Sequence, residues 1–470
     1  MLRLVAMLLA TVLLQVGLVA QAAQVRAIDR EQDIDVSVRV ETLDGEVLFD
    51  WDGDTPRVLA SNTKLLTTAA ALLALPADYR WQTTVYLDDE RLTLVGAGDP
   101  SLRRLPGRDV PAEFLDSLAE ALREARMESI PTLVLDARAF GEHARHPLWP
   151  EEQWHQTYAA GFAGLAIEGG LLEVQHEDGR VRLYPEVGDA IHVERKLKKD
   201  ASIFTGYWLR EDKLLRVNGG PRKARKIALA ARDPQQIFRA WLVHGLGERG
   251  IEVRDAILAG PHDPEPRGEV FWTFDSAWTL AEAVAVANLD SDNFVSEALL
   301  KTLGLVRFGR GDYANGLRAV REILAETGMS LQGLQQTDGS GFARHPQGEA
   351  NRASPALLCE LLRKMAEHPE GQLLFDSLPI ADRGSRLSQY FSDPIFDPQR
   401  VHAKTGWITG ASSLSGYALA PDGTPLVFSV VVNYVKDHTR RTHNSRFRHL
   451  QAAVVGDILR QWPQSDGVEE

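Results

Sequence analysis

The sequence predicts an α+β fold, in which an antiparallel sheet is flanked by helices. Inserted β-rich domains interrupt the chain that forms this sheet. Strand-like segments occur at both ends of the chain, and helical patterns fill much of the sequence between them. From about residue 83 to residue 273, short strand-like runs instead alternate with many Gly and Pro residues. We therefore predict a discontinuous domain, residues 23–82 and 274–470, with one or two accessory domains inserted at residues 83–273.

The first 22 residues predict a secretory signal peptide. The segment "MLRLVAMLLATVLLQVGLVAQAA" has one early Arg3, an apolar run and a small-residue ending, which favours cleavage before Ala23. A membrane anchor is the alternative, although the apolar run is a little short for a span. The single cysteine, Cys359, cannot form an internal disulfide. An exported chain without disulfides suits a bacterial periplasm, with at most peripheral membrane contact.

The first strands of the expected sheet form a hairpin. Apolar residues alternate from Ile34 to Val40, Asp44-Gly45 provides a turn, and Val47 and Phe49 continue on the other side. This spacing predicts two antiparallel strands with one buried face.

The next segment, "LASNTKLLTTAAALLAL", predicts a buried helix from about Asn62 to Pro76. It is apolar nearly all round, which is typical of a helix inside a protein. Ser61 and Lys64 stand at its start, one turn apart and on the same face. Because lysine is rarely buried without a partner, Lys64 is expected to have a chemical task.

Two later motifs complete a recognisable set. Ser291-Asp292-Asn293 lies between an apolar helix and a second helix, which we expect to end at Gly304. Lys404-Thr405-Gly406 lies on a predicted strand. Together with Ser61-x-x-Lys64, and in this order, these motifs are the signature of penicillin-binding proteins and β-lactamases.

The first of these motifs suits an activated serine. Ser61 at the head of a helix would be the nucleophile, with its own N–H aimed at the reacting oxyanion. Burial would lower the pKa of Lys64 from about 10.4 toward neutrality, so that a neutral Lys64 could take the Ser61 proton.

The other two motifs suit a peptide substrate. Ser291 could relay the proton to the leaving amine, and Asn293 could hold the substrate amide. Lys404 and Thr405 could bind a carboxylate, and Gly406 would let the sheet edge approach the substrate closely.

The C-terminal segments predict the rest of the sheet. "VHAKTGWIT", "SLSGYALA" and "PLVFSVVVNYV" are strand-like, and Pro421-Asp422-Gly423 provides a turn between the last two. "SRFRHLQAAVVGDILRQW" has a helical period, so the terminal helix is expected to cover one face of the sheet.

The chain resembles the class C, low-molecular-mass penicillin-binding proteins, the D-alanyl-D-alanine carboxypeptidase/endopeptidase family. The similar segments extend beyond the three motifs and cover nearly the whole mature sequence. They include "LVGAGDPSL", "NGGPRKARKIALAARDPQQIFRAWLVHGLGERGIEV", "DGSGFARHPQGEANRASP" and "LPIADRGSRL". The resemblance implies the penicillin-binding/β-lactamase-like transpeptidase fold, and the long interval between Ser61 and Ser291 is a trait of this family.

The resemblance also implies an activity. Such proteins remove the terminal D-Ala from peptidoglycan stem peptides, or cleave the cross-link between two stem peptides, through an acyl-serine intermediate. β-Lactam antibiotics acylate the same serine as covalent inhibitors. Carried over by motif, the catalytic residues are Ser61, Lys64 and Ser291, and the substrate-binding residues include Asn293, Lys404, Thr405 and Gly406. No cofactor and no metal ion are expected.

One departure from the family pattern touches the site. The family usually has Ser or Thr directly after Lys-Thr-Gly, where this chain has Trp407. The backbone N–H of Trp407 can still complete an oxyanion hole with that of Ser61, so Trp407 is also predicted to bind substrate. Its indole cannot replace a hydroxyl that contacts a terminal carboxylate.

Two other functions stay open at this point. A catalytically idle wall-binding protein could keep the same fold, and a β-lactamase would use the same acylation chemistry. The intact motif residues argue against the first, and no deacylating Glu can be identified for the second. The net charge of −13 argues against nucleic acid as a partner.

Overall fold

The computed structural model describes residues 33–88, 91–177, 180–196, 204–210, 214–218, 225–344, 349–381, 400–435 and 443–462, with a few isolated positions between 25 and 31 and between 387 and 396. The predicted signal peptide, residues 1–22, lies outside the described residues. In the described part of the chain, no helix is both long enough and apolar enough to cross a membrane.

The strands of the described residues are numbered in chain order. They are β1 (Ile34–Thr42), β2 (Val47–Trp51), β3 (Arg57–Val58), β4 (Gln82–Asp88), β5 (Arg91–Val95), β6 (Arg104–Leu105), β7 (Arg108–Asp109), β8 (Ser129–Asp136), β9 (Leu171–Glu177), β10 (Arg180–Tyr184), β11 (His192–Lys196), β12 (Thr205–Arg210), β13 (Leu214–Asn218), β14 (Arg225–Ala230), β15 (Glu252–Leu258), β16 (Glu269–Asp275), β17 (Arg352–Ala353), β18 (Val401–Ile408), β19 (Ala411–Leu419) and β20 (Pro425–Tyr434).

The α-helices of the same residues are numbered separately. They are α1 (Thr63–Ala74), α2 (Val110–Glu124), α3 (Pro234–Gly247), α4 (Leu280–Leu289), α5 (Asn293–Phe308), α6 (Tyr313–Glu326), α7 (Pro355–Glu367), α8 (Gly371–Asp376) and α9 (His443–Gln461).

The central sheet takes its strands from both ends of the chain, as the sequence predicted. Its order is β18-β19-β20-β1-β2, and every neighbouring pair is antiparallel. The apolar residues of β1 that alternate along the sequence, Val36, Val38 and Val40, pack with α9 residues such as Phe447 on one face. The predicted α+β architecture is therefore confirmed, with the terminal helix covering one face of the sheet.

The opposite face of the sheet carries a helical layer with α1 at its centre. Ten of the twelve residues of α1 are buried, including Lys64, Thr67 and Thr68. Leu65, Leu66 and Ala69 lie in one apolar cluster with residues of α4, α5, α6 and α7. The nearly continuous apolar sequence of α1 thus reflects contacts on all its sides.

Residues 83–273, called the inserted region below, contain helices as well as strands. The main sheet of this region has the order β15-β8-β5-β4-β16, in which β8 pairs in parallel with both β5 and β15. Helices α2 and α3 pack beside it, and each begins at an aspartate cap, Asp109 or Asp233, followed by a proline in the first turn. Two three-stranded sheets, β10-β9-β14 and β11-β13-β12, and the two-stranded sheet β6-β7 also lie in this part of the chain.

The chain enters and leaves this region through neighbouring strands. Strand β4 pairs antiparallel with β16, and Gln82 lies opposite Asp275. This pairing agrees with an insertion at residues 83–273, and those boundaries stay a prediction.

One predicted helix end was wrong. Helix α5 does not stop at Gly304 but continues to Phe308, and Gly309 ends it in a left-handed conformation with φ of 73°. A Cβ on Gly304 would lie only 2.6 Å from the backbone nitrogen of Gly316 in α6. Gly304 therefore serves the close contact of two helices, which its sequence neighbourhood did not distinguish from a helix end.

Candidate active site

Ser61 lies in a single 3-10 turn, Ala60–Asn62, that leads directly into α1. Ala60, just before it, has φ of +49°, a left-handed conformation that is uncommon for a residue with a side chain. Such backbone strain occurs preferentially at functional sites, where the surrounding structure enforces it. The sequence predicted Ser61 at the head of the buried helix, and the structure has it there.

Lys64 is fully buried and has three oxygen neighbours. Its Nζ lies 2.7 Å from Oδ1 of Asn293, 2.7 Å from the carbonyl oxygen of Ser340 and 3.3 Å from Oγ of Ser61. Burial lowers the pKa of Lys64 from 10.5 to about 8, although the carboxylates of Asp338, Glu297 and Asp292 oppose this shift. A neutral amine is therefore accessible near neutral pH.

The Ser-Asp-Asn segment forms the sharp connection between α4 and α5. Ser291 has φ of +57°, and Asp292 caps α5 by accepting a hydrogen bond from the backbone N–H of Val295. The other carboxylate oxygen of Asp292 lies 3.0 Å from Arg103 of the inserted region. The second residue of the motif thus fixes the turn that presents its two neighbours.

Asn293 joins three parts of the chain. Its Oδ1 accepts from Lys64, and its Nδ2 donates to the backbone carbonyl of Tyr158 at 2.7 Å. Because Tyr158 belongs to the inserted region, that region contributes directly to the wall of the site. The sequence assigned Asn293 to the substrate amide and did not foresee either of these contacts.

Lys404, in the third motif, contacts Ser291 in the second motif. Its Nζ donates to Oγ of Ser291 at 2.9 Å, and its side chain is completely buried. The backbone carbonyl of Lys404 accepts from Nδ2 of Asn62 at 2.7 Å, next to Ser61. The three motifs, far apart in sequence, therefore meet around one cleft.

Gly406 lies against the turn Ala60–Asn62, which contains Ser61. A Cβ at this position would lie 2.2 Å from Oγ of Ser413, 2.7 Å from the carbonyl oxygen of Leu59 and 3.0 Å from the backbone nitrogen of Ser61. Only a residue without a side chain fits between the strand and the turn. The sequence predicted a close approach to substrate, and the structure has Gly406 in close contact with the turn of Ser61.

Strand β18 forms one edge of the central sheet, and its register shows which backbone groups face outward. The N–H of Ala403 donates to Pro379, outside the sheet, whereas the carbonyl of Arg400 accepts from Leu419 of the next strand. Antiparallel strands alternate these two directions along the chain. The backbone N–H groups of Thr405 and Trp407 therefore point away from β19, toward the open edge.

The Trp407 side chain is half exposed, with 50% of its surface accessible. Trp407 lies opposite Ser412, whose hydroxyl accepts from Gln451 of α9. Gly406 lies opposite Ser413, which donates to Leu59 beside the turn of Ser61. Alternation along the strand thus directs the indole of Trp407 to the α9 side of the edge, and its backbone N–H to the cleft edge.

A groove continues from the end of β18. It has a volume of about 600 Å³, and its lining includes Leu148, Trp149, Arg344, Arg352, Ile408 and Gly410. Apolar side chains thus meet two guanidinium groups directly beyond the Lys-Thr-Gly strand.

Two residues of the site were missed by sequence reasoning. Ser340 supplies a carbonyl oxygen to Lys64, and Glu297 is a fully buried carboxylate that accepts from the backbone N–H groups of Gly339 and Ser340. Glu297 lies one turn after Asn293 in α5, and this i, i+4 spacing is a signal that could have found it.

No metal site is formed by the described residues, since no three His, Cys, Asp or Glu side chains among them lie close enough to share an ion. What the arrangement offers instead is a hydroxyl next to a buried amine, a second hydroxyl next to a buried cation, and N–H groups that face outward at a sheet edge. These are the parts of serine acyl-transfer chemistry.

Comparisons with known proteins agree with this chemistry. Residues 19–454 match the D-Ala-D-Ala carboxypeptidase 3 (S13) family. A D-alanyl-D-alanine carboxypeptidase of Actinomadura sp. is 28% identical over 440 residues, which cover 84% of this chain and 77% of the relative.

Solved structures show the same fold. The crystal structure of penicillin binding protein 4 from Haemophilus influenzae is similar with a TM-score of 0.77 at 20% identity, covering 93% of this chain and 99% of that one. A second structure of that protein, complexed with a β-lactam, has a TM-score of 0.72 at 19% identity and covers 94% of this chain and 99% of that one.

Proposed function

The chain belongs to the D-Ala-D-Ala carboxypeptidase 3 (S13) family, and we propose that Ser61 is the nucleophile with which it attacks the D-alanyl-D-alanine bond. The protein is a serine-type D-Ala-D-Ala carboxypeptidase that acts on peptidoglycan through an acyl-serine intermediate. The observation that carries the assignment of Ser61 is its contact with the buried amine of Lys64, 3.3 Å away.

The neighbours of Lys64 explain how it activates Ser61. A neutral amine has two N–H bonds and one lone pair. The two oxygen atoms at 2.7 Å, from Asn293 and Ser340, accept the two N–H bonds. The lone pair is then left for Ser61, whose hydroxyl donates its proton to Lys64 as its oxygen attacks the substrate carbonyl.

The developing oxyanion needs donors that do not move. The backbone N–H of Ser61, at the start of α1, and that of Trp407, on the open edge of β18, are suited to this role. Because both donors are backbone groups, the change from Ser or Thr to Trp at position 407 leaves the oxyanion hole available.

We assign to Ser291 the relay of this proton, taken from Ser61 by Lys64, to the leaving amine, so that Ser291 receives one proton as it gives one up. Its hydroxyl accepts from the ammonium of Lys404 at 2.9 Å, which orients the hydroxyl and leaves its own proton free to donate. Lys404 and Thr405 would also attract the terminal carboxylate of the substrate. The groove beyond β18 would take a more distant part of the stem peptide, since it combines apolar walls with Arg344 and Arg352.

By this mechanism a β-lactam would acylate Ser61, in line with the β-lactam complex of the Haemophilus influenzae protein. We also propose that residues 1–22 are a signal peptide and that the mature enzyme works in the periplasm, where its substrate lies. Residues 83–273 would form the inserted accessory region.

Labelling with a fluorescent penicillin tests the proposal. A stable adduct on Ser61, with release of D-Ala from a synthetic pentapeptide, is expected. Rapid turnover of the penicillin would indicate a β-lactamase. No labelling, or an adduct on another serine, would overturn the assignment of Ser61.

A further inference from the structure

A buried carboxylate lies directly behind the general base. Glu297 of α5 is completely inaccessible to solvent, and its two oxygens accept from the backbone N–H groups of Gly339 and Ser340, each at 2.9 Å. The carbonyl of Ser340 in turn accepts from Nζ of Lys64 at 2.7 Å. The Glu297 side chain thus binds the N–H groups of both residues in the Gly339–Ser340 turn, and the Ser340 carbonyl of this turn is an acceptor for Lys64.

The other Lys64 acceptor is on the same helix. Asn293 precedes Glu297 by four residues, so both side chains leave one face of α5, one turn apart. Asn293 contacts Lys64 directly and Glu297 contacts it through Ser340. Helix α5 therefore fixes both short contacts of the amine, and the direction of its lone pair toward Ser61 follows from them.

We propose that Glu297 is a positioning residue that orients Lys64 by clamping the Gly339–Ser340 turn. The proposal rests on the function proposed above, in which Lys64 is the base for Ser61. It assigns Glu297 no contact with substrate. Glu297 holds the Ser340 carbonyl where it accepts an N–H bond of Lys64. The lone pair of the amine is then directed at Ser61.

The role needs a carboxylate of this length. Two N–H donors converge on the two oxygens, so both oxygens must accept. A glutamine would set an NH₂ group against one of these donors, and the turn would have to move. An aspartate would keep the charge but would fall one methylene short of the turn.

The neighbouring acid has a different task. Asp338 accepts from the backbone N–H groups of Gly341 and Ala343 and from the side chains of Asn351 and Trp149. These contacts shape the loop as a whole, whereas the two contacts of Glu297 fall on the residues next to the Lys64 acceptor. Glu297 is therefore the more specific probe of Lys64 orientation.

Charge gives the proposal a second observable. The charged groups that act on Lys64 are Asp338 of the loop, Glu297 of α5 and the cap Asp292, and all three raise its pKa. Burial raises the pKa of Glu297 from 4.5 to about 8; Asp338 raises it further, and the hydrogen bonds from Ser340 and Gly339 and the charge of Lys301 lower it. Where Glu297 is ionised, removing its charge should lower the pKa of Lys64.

The experiment compares Glu297→Gln with Glu297→Asp in the full-length enzyme, by following the rate constant of penicillin acylation against pH. Both variants should acylate at least roughly tenfold more slowly, since a hydrogen bond to a charged group has about that influence. The acidic limb of the profile should move to lower pH in Glu297→Gln and stay in place in Glu297→Asp. A role in packing alone would not separate the two profiles in this way.

The outcomes are distinct. If the wild-type enzyme is labelled but both variants acylate at the wild-type rate with an unshifted limb, the role of Glu297 is refuted and the proposed function stands. If the wild-type enzyme is not labelled at all, the proposed function itself fails. A variant that acylates slowly because it is unfolded would be identified by its melting curve.

A measurement on the wild-type protein does not depend on any variant. Hydrogen exchange followed by mass spectrometry should find the Gly339 and Ser340 amides strongly protected, because both donate to a buried carboxylate. Exchange at the rate of an open loop would refute the clamp, whether or not the variants fold.

Discussion

Lys64 Nζ lies 3.3 Å from Oγ of Ser61, while its two shorter contacts, at 2.7 Å, go to oxygen atoms elsewhere in the site. Asn293 and Ser340 thus fix the amine of Lys64 in a position beside the hydroxyl of Ser61. This relationship governs most of the expected effects of substitution in the site.

Ser61→Ala should abolish penicillin labelling and peptidase activity while leaving the fold intact, because it removes only the attacking oxygen. Labelling on a gel, peptide mapping of the adduct and a thermal melt check this. Ser129→Ala, on strand β8 of the inserted region, is a matched control that should label normally. An adduct that still forms in Ser61→Ala would show that another residue is the nucleophile.

Lys64→Arg should slow acylation at least roughly a hundredfold, the scale of lost general-base catalysis. A guanidinium keeps the positive charge but does not lose its proton in proteins, so it cannot take the proton of Ser61. Stopped-flow or time-course acylation measures the loss. Lys226→Arg, an exposed position on β14, is the control, and near-wild-type acylation by Lys64→Arg would mean that the base is elsewhere.

The pH profile of acylation should have an acidic limb near the pKa of Lys64, about 8. The neutral amine is the active form, and burial lowers the pKa, so its population rises with pH and saturates above that value. Below the limb, the second-order rate constant should fall about tenfold per pH unit. A rate constant that stays flat from about pH 6 to about pH 9 would contradict a titrating Lys64 base.

Gly406→Ala should reduce acylation by roughly a hundredfold, the cost of a misplacement of about 1 Å in a catalytic group. The added methyl group would meet the backbone of the Ser61 turn and force the strand and the turn apart. Gly247→Ala is the control, because a methyl group there meets nothing within 4 Å. The assay compares acylation rates with melting temperatures, and a Gly406→Ala enzyme of full activity would refute the tight contact.

Trp407→Thr should raise removal of terminal D-Ala from a pentapeptide relative to cleavage of a cross-linked dimer. A hydroxyl at position 407 would lie on the α9 side of the β18 edge, where it would bind the carboxylate of a terminal residue that crosses this edge. A hydrogen bond to a charged group contributes about 1.5–3 kcal/mol. The indole, which is half exposed, favours a longer peptide instead. We therefore predict that the wild-type enzyme leans toward endopeptidase cleavage.

The measurement for Trp407→Thr is the ratio of the two rates by chromatography of the products, with penicillin acylation largely preserved. Tyr207→Thr removes an exposed ring from the inserted region and should leave the ratio unchanged. If Trp407→Thr also leaves the ratio unchanged, or lowers it, the indole contributes only packing.

Much of this architecture could be predicted from the sequence because its signals are local. The hairpin at Ile34, the buried helix after Ser61 and the strand of Lys404 each have a clear period or motif, and their structures agree with these signals. The two helices of the inserted region were missed because short strand-like runs and Gly and Pro residues dominate that part of the sequence. Gly304 was read as a helix end because the partner that requires it, Gly316, is visible only after folding.

In the candidate site, too, the residues with a local sequence motif could be predicted and those without one were missed. The motif residues could be named because each motif is a short run of residues that matches a known signature. The structure has them around one cleft. Ser340 could not be named, because it contributes a backbone carbonyl, which every residue has. Glu297 was missed because it acts through that carbonyl, although its i, i+4 spacing from Asn293 is visible in the sequence. The contact of Asn293 with Tyr158 likewise depends on how the inserted region packs, which no local pattern encodes.

The position of β1 inside the central sheet has a consequence for biosynthesis. Ile34 pairs with Tyr434 and Thr42 pairs with Leu426. The first strand of the sheet to be synthesised can therefore pair with β20 only when nearly the whole chain has been made. The inserted region, with an apolar cluster of its own, can collapse much earlier. Ser61 then lacks its neighbouring strand β18 until synthesis is almost complete, and a truncated chain without β18–β20 would contain Ser61 and Lys64 but not Lys404.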